Sequence, residues 1–175
     1  MSAEVPAPPL RVGLALGAGG AKGLAHIAAL EAFEQAGIRP AAIAGSSIGA
    51  IIGAAYAAGY SASAIRAHAL KCFRDRADVM TKLFRSRTGS LTTIFSAGLG
   101  SFVHVDGERL LDEFWPAAMP GRFADLRIPF AAVATDFHGR SEKVFTEGPL
   151  LRAVAASMAI PGLVKPVLID GRPHV

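Results

Sequence analysis

Two glycine-rich turns each stand between a short apolar run and a segment of helical periodicity, and this doubled opening constrains the fold more than any other feature. The turns are Gly17-Ala18-Gly19-Gly20-Ala21-Lys22-Gly23 and Gly45-Ser46-Ser47-Ile48-Gly49. Val12 to Leu16 reads as a buried strand, and Lys22 to Ala36 as a helix with Leu24, Ile27, Ala28 and Leu30 at helical spacing before Gly37. Ala41 to Ala44 reads as a second strand, Ser47 to Ala58 as a second helix, and Gly59 as its stop. Strand–helix–strand–helix in this order predicts a parallel sheet covered by helices.

The rest of the chain fills in around that unit. Ser61 or Ser63 is placed to cap a third helix over Ala64 to Phe73. From Arg74 to Ser101 periodicity fails, and a lid-like stretch is expected. Asp106 is placed to cap a helix over Glu108 to Trp115. Phe130 to Thr135 reads as a strand, His138-Gly139-Arg140 as a turn, and Glu142 to Thr146 as its antiparallel partner. Leu150 to Met158, led by Pro149, reads as a helix, and Val164 to Ile169 as a strand. Asp170-Gly171 is a two-residue hairpin signal into Arg172 to Val175.

Composition enters where it excludes alternatives. At 175 residues, 51% hydrophobic and 18% charged, the chain is of single-domain size and too apolar for disorder. One cysteine, Cys72, rules out an internal disulfide and fits a cytoplasmic setting. Met1 to Leu10 has three prolines and no signal-peptide core, which reads as a flexible leader before a domain from Arg11 to Val175. Ala41 to Tyr60 carries no charge and has glycines at 45, 49 and 53, a pattern shared with packing membrane helices. Its Ala- and Gly-rich composition without Leu or Phe favours a buried strand, turn and helix instead. Seven of the basic residues lie between Arg66 and Arg87, so the excess of positive charge is a local patch and not a nucleic-acid-binding field.

The glycine turns suggest chemistry. In the first, Lys22 precedes Gly23 and Leu24 follows, so a phosphate-binding P-loop is broken; the dinucleotide fingerprint fails at the same lysine. Two readings remain open: an oxyanion hole, which needs only backbone amides at a helix start, and a tight turn that allows close packing. The second turn is a G-x-S-x-G in which Gly45 and Gly49 permit a sharp bend that projects Ser47 from the strand end. Parallel neighbouring strands would bring both turns to one edge of the sheet. A serine nucleophile needs a base, and His68, His104, His138 and His174 all lie in contexts that read as structural or solvated. A carboxylate acting directly on the serine is the other solution.

These residues resemble the patatin-like phospholipase family, especially its small bacterial members. The resemblance runs from about Arg11 to Val175. It rests on Ala21-Lys22-Gly23 with Leu24-Ala25-His26-Ile27, on the Gly45–Gly49 turn, and on Ala132-Val133-Ala134-Thr135-Asp136. Phe145-Thr146-Glu147-Gly148, Ala155-Ala156-Ser157, Ile160-Pro161-Gly162 and Lys165-Pro166-Val167 extend it. It implies a three-layer α/β/α sandwich with a mostly parallel central sheet, and a Ser–Asp dyad lipid acyl hydrolase that uses no metal and no cofactor. By that resemblance Ser47 is the nucleophile, and the amides of Ala18, Gly19, Gly20 and Ala21 form the oxyanion hole. The dyad aspartate should open a D-G-G or D-G-A motif after a short hairpin. Aligning Lys165-Pro166-Val167 with the family puts it at the first position beyond Val175, so that the domain is expected to lack its C-terminal part and these 175 residues alone to hydrolyse little or nothing. The rival base is Asp170, in Asp170-Gly171-Arg172. Asp136, between a strand and a turn, reads as a turn-stabilising side chain.

The implied substrate is a phospholipid or other acyl ester. The patch Arg66–Arg87, interleaved with Phe73, Met80, Leu83 and Phe84, is expected either to meet anionic headgroups peripherally or to be a solvated face. The alternative from another class is a non-catalytic lipid- or partner-binding regulatory protein on the same fold.

Overall fold

The computed structural model describes residues 11–75 and 106–175. Met1 to Leu10, most of the aperiodic stretch, and His104 lie outside the described residues. Three strands, β1 (Gly13–Leu16), β2 (Ala42–Gly45) and β3 (Phe130–Asp136), run parallel, with Leu16 beside Gly45 and Gly45 beside Ala132. β4 (Ser141–Phe145), β5 (Val167–Ile169) and β6 (Arg172–His174) are antiparallel to their neighbours. The order is β1-β2-β3-β6-β5, with β4 also on β3. The α/β class is as expected, but the sheet is mixed, and its parallel part is confined to β1, β2 and β3.

Strands that step consecutively in one direction through right-handed crossovers place their helices on one face. On that face Leu16, Ile43, Phe130, Ala132 and Ala134 are buried, while Ala15, Ala42 and Thr135 on the other are exposed. α2 (Ile48–Ala57) and α5 (Leu150–Met158) lie against the sheet. α1 (Ala25–Gln35) and α3 (Ala62–Asp75) pack on each other and on α2, and α4 (Gly107–Phe114) packs on α5. These helices supply one outer layer of the expected sandwich.

Local signals explain most element ends. Gly37 and Gly59 take φ of 67° and 101°, and the amides after them close six-residue loops, Ile38 to Phe33 and Tyr60 to Ala55. Ser61 Oγ accepts the Ala64 amide, and Asp106 Oδ1 accepts those of Glu108 and Arg109. α3 begins two residues earlier than expected because Glu34 of α1 accepts the Ala62 amide at 3.0 Å. α1 starts late, since Gly20–Leu24 forms a tighter 3₁₀ turn. β5 is shorter than expected because the Leu163 and Val164 amides turn back onto the Ile160 carbonyl. The uncharged Ala41–Tyr60 segment is β2, the elbow and the largely buried α2. No helix among the described residues is long and apolar enough to cross a membrane.

β3 is longer than β2, and its far end receives the β5–β6 hairpin. Backbone polar groups alternate between the edges of a strand. On the β2 side, Pro129 accepts the Ile43 amide, and two residues past Val133 Thr135 exchanges both hydrogen bonds with Val175. β6 therefore runs toward the end of β2. Asp136 closes the corner: it accepts the Gly139 amide at 2.8 Å and pairs with Arg172 at 2.9 Å, the turn role expected of it plus a tie to β6. The Gly139 amide first, and then Arg172, hold its carboxyl below the ordinary range. A lowered folded pKa adds stability above the unfolded value of roughly 3.9, and the gain vanishes as pH falls through the folded one. Asp136→Asn should thus lower Tm at pH 7 and pH 5, and the gap from wild type should close below about pH 4. A gap independent of pH, read by thermal melts, would contradict this.

Candidate functional site

The two glycine turns meet. A Cβ on Gly49 would stand 2.1 Å from the Leu16 carbonyl oxygen and 2.8 Å from that of Gly17, and one on Gly23 would stand 2.1 Å from Ile48 Cγ2. Only hydrogen at these positions lets the start of α2 abut the end of β1 and its loop. A Cβ on Gly45 would likewise stand 2.4 Å from the Gly49 carbonyl oxygen. The Ser46 amide donates to the Leu16 carbonyl at 3.0 Å and completes the junction.

Ser47 sits at the apex with φ 54° and ψ −120°, outside the ordinary regions for a residue with a side chain. Such a conformation costs about 1–3 kcal/mol and persists where surroundings impose it. Its side chain makes no cap bond to the α2 backbone. The positive end of α2 lies beside it. The Ser47 amide is taken by Ser157 Oγ at 2.9 Å, so it does not face a substrate.

In the first turn Gly19 has φ 174° and ψ 1°, and Gly20 takes φ 55° at the start of the 3₁₀ turn. The amides of Gly20 and Ala21 have no acceptor inside that turn, as at any helix start. His26 Nε2–H donates to the Gly17 carbonyl at 2.8 Å and braces the loop from α1. Ser47, Gly20 and Ala21 line one cavity of about 530 Å³. Ala18 and Gly19 are exposed on the adjoining loop and do not line it. Most of the remaining wall is apolar, from Ile51, Ile65, Leu111, Met158 and Leu163 among others.

Other candidates fall elsewhere. Asp170 is exposed at φ 51° in the β5–β6 turn, with Gly171 at 73°. At about 3.4 Å per residue it is about 17 Å along the hairpin from Val175. His68 lines the cavity, but its Nε2–H donates to the Phe114 carbonyl at 2.7 Å. His174 is buried, 3.0 Å from the Arg172 carbonyl and edge-on to Phe145. His138 lies beside Phe137. Lys22 is exposed. In the basic patch Arg66 is held by Glu31 in a two-pronged pair, Lys71 lines the cavity, and residues 76–87 lie outside the described residues. Sequence reasoning gave no role to His26 or Ser157, although both stand in segments that carry the family resemblance.

A serine at a strand–helix elbow, sharing an apolar cavity with a neighbouring glycine-rich helix start, is the arrangement of a class of α/β proteins that carry a G-x-S-x-G elbow. The family profile described as patatin-like phospholipase matches residues 14–175. The chain belongs to the patatin-like phospholipase family, whose members are generally carboxylic ester hydrolases acting on acyl-ester lipids. It is 38% identical to an uncharacterized NTE family protein of Mycobacterium tuberculosis over 93% of this chain and 41% of that protein. It is 33% identical to patatin-like phospholipase domain-containing protein 7 of Rattus norvegicus over 89% of this chain and 11% of that protein. The chain thus spans less than half the length of these relatives. Among solved structures, ExoU of Pseudomonas aeruginosa in complex with SpcU matches with TM-score 0.54 at 23% identity, over 87% of this chain and 39% of that one. VipD of Legionella pneumophila matches with TM-score 0.55 at 13% identity, over 95% and 45%. Both likenesses concern the fold.

Proposed function

We propose that this chain carries the nucleophile and oxyanion hole of a serine lipid acyl hydrolase of the phospholipase A or esterase type. The observation that supports it is the convergence of Ser47, Gly20 and Ala21 on one apolar cavity. An acyl chain lies in the cavity with its ester carbonyl at Ser47. Oγ attacks the carbonyl carbon while its proton passes to an aspartate carboxylate. Amides of the Ala18–Ala21 loop hold the oxyanion, Gly20 and Ala21 from within the cavity wall. The tetrahedral intermediate collapses, and the aspartate returns the proton to the departing alcohol or lysolipid. Water, deprotonated by the same aspartate, then attacks the acyl-enzyme carbonyl; the fatty acid leaves as the aspartate returns the proton to Ser47 Oγ.

The base is the aspartate expected directly after Val175. The course of β6 supports this, because an extended continuation would lie opposite Ala134, between Thr135 and the level of Gly45. Asp170, in its exposed turn, is the weaker candidate. The exposed Arg74 and the basic residues after it are proposed to meet anionic headgroups at the membrane surface, with the protein otherwise cytoplasmic.

Burying a methylene is worth roughly 0.8 kcal/mol, or about four-fold in an equilibrium or rate. With a protein that supplies the aspartate as well as these residues, kcat/KM on p-nitrophenyl esters should rise from acetyl upward, by at most that factor per methylene, until the cavity is full. A fluorophosphonate should label Ser47, Asp170→Asn should retain turnover, and anionic vesicles should be hydrolysed faster than neutral ones. No labelling and no turnover would sink the hydrolase reading and favour a lipid- or partner-binding protein.

A further inference from the structure

We infer that Ser157 is a positioning residue for the nucleophile, an inference that rests on the reading of Ser47 as that nucleophile. Ser157 lies on the buried face of α5, 8% exposed, and its Oγ joins two other parts of the fold. It donates to the Val133 carbonyl at 2.5 Å and accepts the Ser47 amide at 2.9 Å.

The need for this bridge follows from the sheet. On the β2 edge of β3 the ladder with β2 stops at Gly45 beside Ala132, and pairing resumes where Thr135 meets Val175. The Val133 carbonyl falls in the gap, where a ladder partner is missing and an unpaired acceptor would be costly. A serine hydroxyl has one hydrogen to donate. With that hydrogen spent on Val133, the lone pairs of Oγ are left for the amide of Ser47. The direction of both bonds is therefore set, and β3, α5 and the elbow are locked to one another through a single atom.

The lock acts where the backbone is least able to hold itself. Ser47 keeps a φ of 54°, and Ser157 fixes the peptide plane that leads into it. That plane sets the direction of Cβ and so of the Ser47 hydroxyl. It also keeps the Ser47 amide out of the cavity, which leaves the oxyanion to the first glycine loop. Ser157 touches no reacting atom in this arrangement; it acts through Ser47. Its neighbour Met158 lines the cavity, so the residue that aims the nucleophile adjoins one that contacts the acyl chain.

The test uses the full-length protein with Ser157→Ala, Ser157→Thr and, as a stability control, Leu30→Ala, which empties a fully buried site on α1. Fluorophosphonate labelling and ester turnover are measured well below the Tm of every variant. Ser157→Ala should label at least about ten-fold more slowly, with kcat reduced and KM nearly unchanged, as for a misaimed nucleophile. Ser157→Thr, which keeps the hydroxyl, should recover most of the rate. Leu30→Ala should lose at least as much Tm yet label at the wild-type rate. A folded Ser157→Ala that labels like wild type would overturn the inference alone, as would equal slowing by Leu30→Ala. A wild-type protein that does not label would remove the hydrolase reading and this inference with it.

Discussion

Ser47→Ala should reduce ester turnover by more than about 1,000-fold and abolish fluorophosphonate labelling, while Tm stays close to wild type. The loss is large because in the proposed mechanism the hydroxyl oxygen forms the acyl bond, and neither the loop amides nor the cavity can replace it. Stability should hold for three reasons. Ser47 Oγ makes no cap bond to α2, the bond to Ser157 uses the main-chain amide, and alanine shares serine's backbone preferences. A parallel melt and a turnover assay of the full-length protein separate the effects. Full activity in this variant would end the proposal for Ser47.

Gly49→Ala should be the most damaging small substitution for the fold. The added methyl would sit 2.1 Å from the Leu16 carbonyl oxygen, and the obstacle is main chain at the end of β1. No side-chain rotation relieves that contact, so α2 must move away from β1. Overpacking of this kind costs about 3 kcal/mol, which for a domain of this size lowers Tm by about 6–12 °C. The displacement would also pull Ser47 away from Gly20 and Ala21. Gly13→Ala provides the contrast, since a Cβ there meets nothing within 4 Å. Thermal melts should show Gly13→Ala near wild type and Gly49→Ala far below it; equal melting of the two would refute the close-approach argument.

How far the fold could be read in advance depended on the range of the forces involved. The capping roles of Ser61 and Asp106, the helix stops at Gly37 and Gly59, and the Asp170-Gly171 turn rest on contacts within a few residues, and each was legible. The partners of β3 were not. β5 and β6 have three residues each, too short for a pattern that states which strand they join or in what direction. Their placement depends on β3 outlasting β2 and on the Asp136–Arg172 pair, whose members are 36 positions apart. The same limit applied at the site. The elbow and the glycine loop were visible as motifs, whereas Ser157 meets the Ser47 amide across 110 positions and lies in a helix that reads as ordinary core. His26, nine residues from its acceptor, was visible only as part of a family pattern.

The amino-acid order alone determined that this chain makes two strand–turn–helix units with a serine at one turn and free amides at the other. Glycine and capping residues impose such bends through local sterics and local hydrogen bonds. Only the tertiary structure decided that the bends touch, that an apolar cavity opens between them, and that one hydroxyl from a distant helix takes the Ser47 amide. Those outcomes depend on which surfaces exclude water together and which orphaned polar groups find each other, and both are settled by packing over the whole chain.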